Sequence, residues 1–230
     1  MIGLLGGMSW ESSIEYERII NSEVRARLGG THSADLLVRS YDFARIEQLQ
    51  ERGYWQAAED LLAADARMLA DAGAGCIVLC TNTMHRLAGA IERVVDVPLL
   101  HIADATADAA LAAGVRTVGL LGTRYTMEQD FYRGRLQDRG LSVVVPEEPD
   151  RTTVHDVIYG ELVRGVVDPA SRSRYVDIVR RLIERGADGV IAGCTEIELL
   201  IGPADVTVPF FPTTRLHALA AVDFALRPQS

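Results

Sequence analysis

An α/β fold of two homologous halves, each built on a parallel sheet, is predicted from three observations. First, apolar runs of strand length alternate with amphipathic stretches of helix length along the whole chain, the pattern of parallel strands joined by helical crossovers. Second, one phrase is written twice. Gly73-Ala74-Gly75-Cys76-Ile77-Val78-Leu79-Cys80-Thr81-Asn82-Thr83 reads against Gly186-Ala187-Asp188-Gly189-Val190-Ile191-Ala192-Gly193-Cys194-Thr195-Glu196, at a spacing of 113 residues that also carries Thr81 onto Cys194. Third, two more matches keep the same order. Gly3-Leu4-Leu5-Gly6-Gly7 pairs with Gly119-Leu120-Leu121-Gly122-Thr123 at 116 residues, and Asp96-Val97-Pro98-Leu99-Leu100 resembles Val206-Thr207-Val208-Pro209-Phe210-Phe211, with prolines 111 apart. Such an internal duplication predicts a pseudo-twofold arrangement with the active site in a cleft between the halves, at strand ends where open α/β sheets place ligand-binding groups.

Read in order, strands fall at about residues 2–6, 35–39, 76–80, 98–101, 117–121, 142–145, 189–193 and 208–211, each a short apolar run. The opening Met1-Ile2-Gly3-Leu4-Leu5 lacks the basic residues that begin a signal peptide and reads as the first strand. The amphipathic stretches predict helices at about 10–28, 54–72, 83–93, 103–113, 127–139, 151–164, 171–185, 195–200 and 213–226. No low-complexity linker interrupts the alternation, so two closely packed domains are expected. Residues 1–103 form the first half and residues 104–211 the second, with a C-terminal helix, 212–230, packing back on the first.

Composition narrows the chemistry. At 230 residues the chain can bury one large core or two smaller ones. No apolar run approaches the roughly 18 residues of a membrane span, and the net charge of −9 disfavours nucleic acid or an anionic membrane as a partner. Three cysteines without a secretion signal point to free thiols in a reducing cytoplasm. Lysine is absent. All 23 basic residues are arginine, which excludes a pyridoxal phosphate Schiff base and a Walker A loop. No metal is expected, because Cys76, Cys80 and His85 would point apart on strand and helix instead of converging on zinc.

Cys194 is the strongest candidate for chemistry. It follows an apolar strand and a glycine and precedes a predicted helix start at Thr195. A helix N-terminus favours a thiolate by about 0.3–1 kcal/mol, at best about 2. Lowering a cysteine pKa from about 8.5 to 7 requires roughly 2 kcal/mol, so a thiolate is within reach. Cys76 and Cys80 lie in or at the end of an apolar strand and read as core thiols. Thr81, the counterpart of Cys194, is a far weaker acid; it can relay a proton, donate a hydrogen bond or shape the pocket. Asn82 and Thr83 add donors suited to a carboxylate at the same strand end. His32, His155 and His217 read as surface or packing residues, His85 and His101 as neighbours of the cleft, and Trp10 as a core anchor.

Gly6-Gly7-Met8-Ser9-Trp10-Glu11-Ser12, Cys80-Thr81-Asn82-Thr83-Met84-His85, His101-Ile102-Ala103-Asp104-Ala105-Thr106, Leu121-Gly122-Thr123-Arg124-Tyr125-Thr126-Met127 and Gly193-Cys194-Thr195-Glu196 together resemble the aspartate/glutamate racemase family over essentially the whole chain. The resemblance implies a cofactor-independent enzyme in which one thiolate removes the α-proton of an amino acid and the opposite thiol reprotonates the carbanion. Cys194 corresponds to the second-half cysteine. The first-half cysteine is replaced by Thr81, as in a threonine/cysteine variant resembling the L-aspartate/glutamate-specific or broad-specificity amino-acid racemases. The replacement predicts unequal handling of the two enantiomers around a racemic equilibrium. The resemblance also assigns substrate contacts to Met8, Ser9, Asn82, Thr83, Thr123, Thr126 and Thr195, and a distal carboxylate to Arg45 and Arg164, with Arg52 in reserve. A homodimer is expected by the same resemblance.

Two other readings stay open. A single-cysteine enzyme resembling the arylmalonate decarboxylases would keep Cys194 and release carbon dioxide. A degenerate ligand-binding protein would keep the fold alone, although it would have no need of a strand-end thiol.

Overall fold

Strand β1 (Ile2–Gly6) is bordered by β2 (Leu36–Ser40) and β3 (Cys76–Leu79), and β3 in turn by β4 (Leu99–Leu100), all parallel, in a computed structural model that describes residues 1–227. Interior strands of a parallel sheet are covered on both faces, so β1 and β3 are continuous apolar runs with every residue buried. The side-chain period of two divides them. Leu5, Ile77 and Leu79 enter one core with Ile46, Leu62 and Leu69, whereas Ile2, Leu4, Cys76, Val78 and Cys80 enter another with Tyr16, Ile20 and Val24. The first core is covered by α2 (Phe43–Glu51) and α3 (Trp55–Asp71) and the second by α1 (Trp10–Leu28). Beyond β3 the chain makes a 3-10 turn, Thr83–Leu87, and the short α4 (Ala88–Glu92) before β4.

The second sheet repeats this order. Strand β5 (Thr117–Gly122) lies between β6 (Ser142–Val144) and β7 (Gly189–Gly193), and β7 borders β8 (Phe210–Pro212), again all parallel. Its helices are α5 (Ile102–Ala112), α6 (Arg124–Glu128), α7 (Asp130–Asp138), α8 (Asp150–Gly160), α9 (Pro169–Glu184) and the four-residue α10 (Ile197–Leu200), and α11 (Thr213–Ala225) follows β8. Leu121, Val190 and Ala192 face Ile158, Tyr175 and Ile178 of α8 and α9, while Val118, Leu120 and Ile191 face Ala103, Ala107, Tyr132 and Leu136 of α5 and α7. Burying each such Leu or Ile contributes roughly 1.5–3 kcal/mol.

The chain divides into two compact units, residues 1–101 with the segment from 217, and residues 102–216. Ala218, Ala221 and Val222 of α11 pack in the core that holds Ile2, Leu4 and Tyr16. The final three positions of the 212–230 segment lie outside the described residues.

Five elements differ from the sequence reading, the first being the helix expected over 83–93, which is the 3-10 turn Thr83–Leu87 followed by the short α4. Helix α2 forms in a stretch assigned no helix: Asp42 caps it by accepting from the Ala44 amide at 3.2 Å, Ile46 and Gln50 are buried, and Gly53 at φ +68° separates it from α3. The helix expected over 127–139 starts earlier, capped by Thr123, and is cut at Gln129, whose extended backbone separates α6 from α7. The helix expected over 151–164 ends at Gly160 and gives way to a 3-10 turn, Leu162–Arg164. The helix expected from Thr195 starts at Ile197 and is only four residues long.

Candidate active site

In the first unit the candidate residues gather at the C-terminal ends of β1 and β3, which pair in register from Ile2↔Cys76 to Leu5↔Leu79. The chain leaves β1 through Gly7 at φ +80°, where a Cβ would come within 2.3 Å of the Tyr41 backbone; only glycine makes this turn. Ser9 then caps α1, its side chain accepting from the Ser12 amide at 3.4 Å, and the Ser13 hydroxyl accepts from the Gly7 amide at 2.6 Å. Ser12 Oγ donates to the Cys80 carbonyl at 3.1 Å, tying the loop after β1 to the end of β3. Thr81 follows, partly exposed, with Asn82 and Thr83 buried beside it. The Thr81 carbonyl accepts a hydrogen bond from His85 Nδ1 at 2.7 Å, which fixes the proton of that imidazole on Nδ1.

Behind Thr81 lies a buried cluster that sequence reading did not assemble. The ring of His85 sits 4.4 Å from that of His101 and 5.6 Å from that of His217, centroid to centroid. His217 Nε2 donates to the Leu100 carbonyl at 2.7 Å, and Tyr16 Oη donates to His217 Nδ1 at 2.7 Å. A carbonyl can only accept, so the protonated nitrogen of neutral His217 is Nε2 and the tyrosine hydroxyl is the donor on the other side. His217 is thus a fully buried, doubly bonded residue, with no surface role.

In the second unit the equivalent strand ends are those of β5 and β7, and Gly122↔Gly193 are register partners. A Cβ on Gly193 would sit 2.7 Å from the Leu121 carbonyl oxygen, so glycine is required directly before Cys194. Thr123 and Cys194 therefore emerge from neighbouring strands at the same level. Thr123 Oγ1 accepts from the Thr126 amide at 3.3 Å and lies 3.2 Å from Thr126 Oγ1, so both hydroxyls take part in the α6 cap. Cys194 Sγ donates to Glu196 Oε2 at 2.9 Å, and Glu196 itself is only 6 % exposed.

That contact overturns the expected thiolate. Desolvation first, then the charge and hydrogen bond of Glu196, push the Cys194 thiol well above its ordinary value, with Glu198 adding in the same direction. Helix α10 is too short, and starts too late, to compensate. Cys194 rests as a thiol. Of the three cysteines it is still the accessible one, since Cys76 and Cys80 are buried in the sheet and burial raises both, Cys76 to about 11.

The remaining assignments divide. Met8 is a core side chain packed with Leu5, Tyr41 and Ile46, so any contact it makes with a substrate has to come from its backbone. Thr195 is partly exposed beside Cys194. Arg45 is exposed on the first turn of α2, which follows the end of β2, and Arg52 is exposed at the far end of the same helix. Arg164 is exposed on the 3-10 turn that packs against α10. Trp10, expected in the core, is 61 % exposed at the start of α1. Among the described residues no group of three or more His, Cys, Asp or Glu is arranged to hold a metal ion, and no helix is long and apolar enough to cross a membrane.

The family model described as Asp/Glu/Hydantoin racemase matches residues 5–221, spanning both units and all the strand ends above. The chain belongs to this family. A racemase-family structure from Yersinia pestis, provisionally assigned as an Asp/Glu racemase, is 52 % identical with a TM-score of 0.93, over 98 % of this chain and 99 % of that one. A Pyrococcus horikoshii aspartate racemase homologue is 33 % identical with a TM-score of 0.86, over 98 % and 99 %. Among curated relatives, glutamate racemase of Pseudomonas entomophila is 30 % identical over 151 residues, 62 % of this chain and 56 % of that protein. The match thus spans little more than half the length of that glutamate racemase. Membership of the family supports an isomerase of the racemase class.

Proposed function

We propose that the chain is a cofactor-independent amino-acid racemase of the aspartate/glutamate type, inverting the α-carbon by two-sided proton transfer with Cys194 on one face and Thr81 on the other. The observation that carries this reading is the placement of Cys194, a partly exposed thiol at the end of β7 beside the buried carboxylate of Glu196. Cys194, a thiol at rest, first gives up its proton to solvent; its thiolate then takes the α-proton, Cα–H breaking as S–H forms and the electron pair passing to an enediolate of the substrate carboxylate. The Thr81 hydroxyl passes a proton to the other face and regains one from solvent, which completes inversion. Donors at the two strand ends, Asn82, Thr83 and Thr195, are suited to the carboxylate charge as it grows, the interaction that lowers the barrier most. Arg45, exposed on the first turn of α2, and Arg164, exposed on the 3-10 turn after α8, are suited to the distal carboxylate of aspartate or glutamate.

Deuterium wash-in tests the proposal. Protein in D₂O, given L- or D-aspartate or L- or D-glutamate with nothing added, is expected to exchange the α-proton with inversion, and Cys194→Ala to lose both. Exchange that persists in Cys194→Ala contradicts the assignment of Cys194. Carbon dioxide released from an arylmalonate, with no exchange of amino acids, points to the single-cysteine reading.

A further inference from the structure

Thr123 and Thr126, the hydroxyls that the family resemblance assigns to substrate in the second unit, stand on the turn that leaves β5 and opens α6. Arg124 stands between them and is gripped at both ends by α8. Its backbone amide donates to His155 Nδ1 at 3.2 Å, and its guanidinium donates to Thr152 Oγ1 at 3.0 Å. Thr152 and His155 are three residues apart and so share one face of α8. We propose that His155 is a positioning residue for substrate binding: its unprotonated Nδ1 holds the Thr123–Thr126 turn in place, and protonation of that nitrogen releases the turn. The proposal rests on the racemase reading and deepens it.

The contact turns on one lone pair. Arg124 is the first residue of α6, so its amide has no partner within the helix and needs an acceptor outside it. In neutral His155 the proton sits on Nε2, and Nδ1 accepts. A proton taken from solvent adds to the Nδ1 lone pair without breaking another bond. Nδ1 then becomes a donor facing a donor, and the imidazolium charge adds to repulsion from the Arg124 guanidinium. Both changes push the turn away from α8. The turn reaches the site directly: Gly122, just before Thr123, is the register partner of Gly193, just before Cys194.

The surroundings favour the unprotonated form at neutral pH. Burial first, and then the Arg124 charge, lower the His155 imidazole below its ordinary value, while Asp156 and Glu128 pull the other way. Arg124 lies 3.8 Å from Glu128 of α6 and 3.7 Å from Glu148 before α8, and Arg151 is 3.5 Å from each of these carboxylates. Tyr159, one turn along α8, sets its ring 4.9 Å from the imidazole. On α9, Tyr175 donates to the Val154 carbonyl at 2.8 Å, and Arg181 pairs with Asp150 at 2.6 Å. Strand β5 carries no charged residue, and Arg164 on the 3-10 turn after α8 is exposed. The imidazole is therefore the part of this contact whose charge changes between about pH 5 and 8.

Two readouts on full-length protein test the proposal. The first needs no substrate: NMR follows the His155 imidazole and the Arg124 amide against pH. The two are expected to titrate together, at a midpoint below that of an ordinary histidine, and the amide is expected to stay level in His155→Asn. The second is the KM for α-proton exchange, measured with whichever of L- and D-aspartate and L- and D-glutamate exchanges fastest. Wild-type KM is expected to rise about fivefold on acidification through the His155 midpoint, the scale of one hydrogen bond. His155→Phe keeps a ring without an acceptor and is expected to show the raised KM at every pH. His155→Asn offers an amide oxygen near the place of Nδ1 that does not titrate, and is expected to recover most of the affinity and to hold it level with pH. An Arg124 amide indifferent to the His155 titration, or the same KM profile in wild type and His155→Phe, overturns the proposal. Wild type that exchanges none of the four amino acids, while amide and imidazole titrate together, contradicts the racemase reading and with it this use of the turn.

Discussion

His85 Nδ1 donates to the main-chain carbonyl of Thr81 at 2.7 Å, so the strand-end turn that carries Thr81 is held by a buried imidazole four residues downstream. The bond fixes both the peptide orientation at Thr81 and the tautomer of His85, and it joins the turn to a cluster with His101 and His217.

Removing that donor has two expected effects. His85→Ala leaves a carbonyl without its partner and a cavity behind it, costing about 1–3 kcal/mol by urea denaturation and slowing α-proton exchange. His85→Asn keeps a nitrogen donor on a shorter side chain and is expected to recover part of both. Equal activity and stability in His85→Ala and wild type contradict a role for the bond.

Thr81 is expected to be the weaker of the two proton-handling positions. Thr81→Cys places a thiol, about as acidic as an ordinary cysteine, where an alcohol stood, and the enantiomer handled more slowly by wild type is expected to gain at least about tenfold in exchange rate. Chiral chromatography from each pure enantiomer measures this directly. Loss of turnover in both directions removes Thr81 from a proton-transfer position.

The buried Cys76 gives a pH dependence of stability. Burial raises its thiol to about 11, so the folded state holds the proton more tightly than the unfolded chain, whose thiol titrates near 8.5. Stability is therefore unaffected by this group below about pH 8.5 and falls as pH rises from there toward 11, by ~3 kcal/mol at 1.4 kcal/mol per pH unit. Denaturant midpoints of wild type and Cys76→Ala are expected to converge across that window, and parallel curves contradict the assignment.

The strands were readable because their signal is local. In β3 and β7 both faces are buried, so a continuous apolar run is the whole message, and the turn glycines mark where it stops. Cys194 was readable through its position in the repeated phrase. Glu196 was not: two residues after a cysteine, before Ile197, it reads as an acidic first turn of a helix, and its role depends on the turn that brings its carboxylate back to Sγ. Helix α2 escaped because its inward positions, Phe43, Ile46, Leu49 and Gln50, are sparse and partly polar. His217 escaped for a different reason. It stands 116 residues after His101, and it is α11 that brings it back onto Leu100 and Tyr16.

The central claim is that this chain inverts amino acids through Cys194. The most direct measurement is NMR of L- and D-aspartate and L- and D-glutamate in D₂O with wild type and Cys194→Ala, paired with chiral chromatography. Deuterium entering the α-position with inversion in wild type, and in neither readout for Cys194→Ala, is the predicted result. No exchange with any of the four amino acids, or equal exchange by the two proteins, contradicts it.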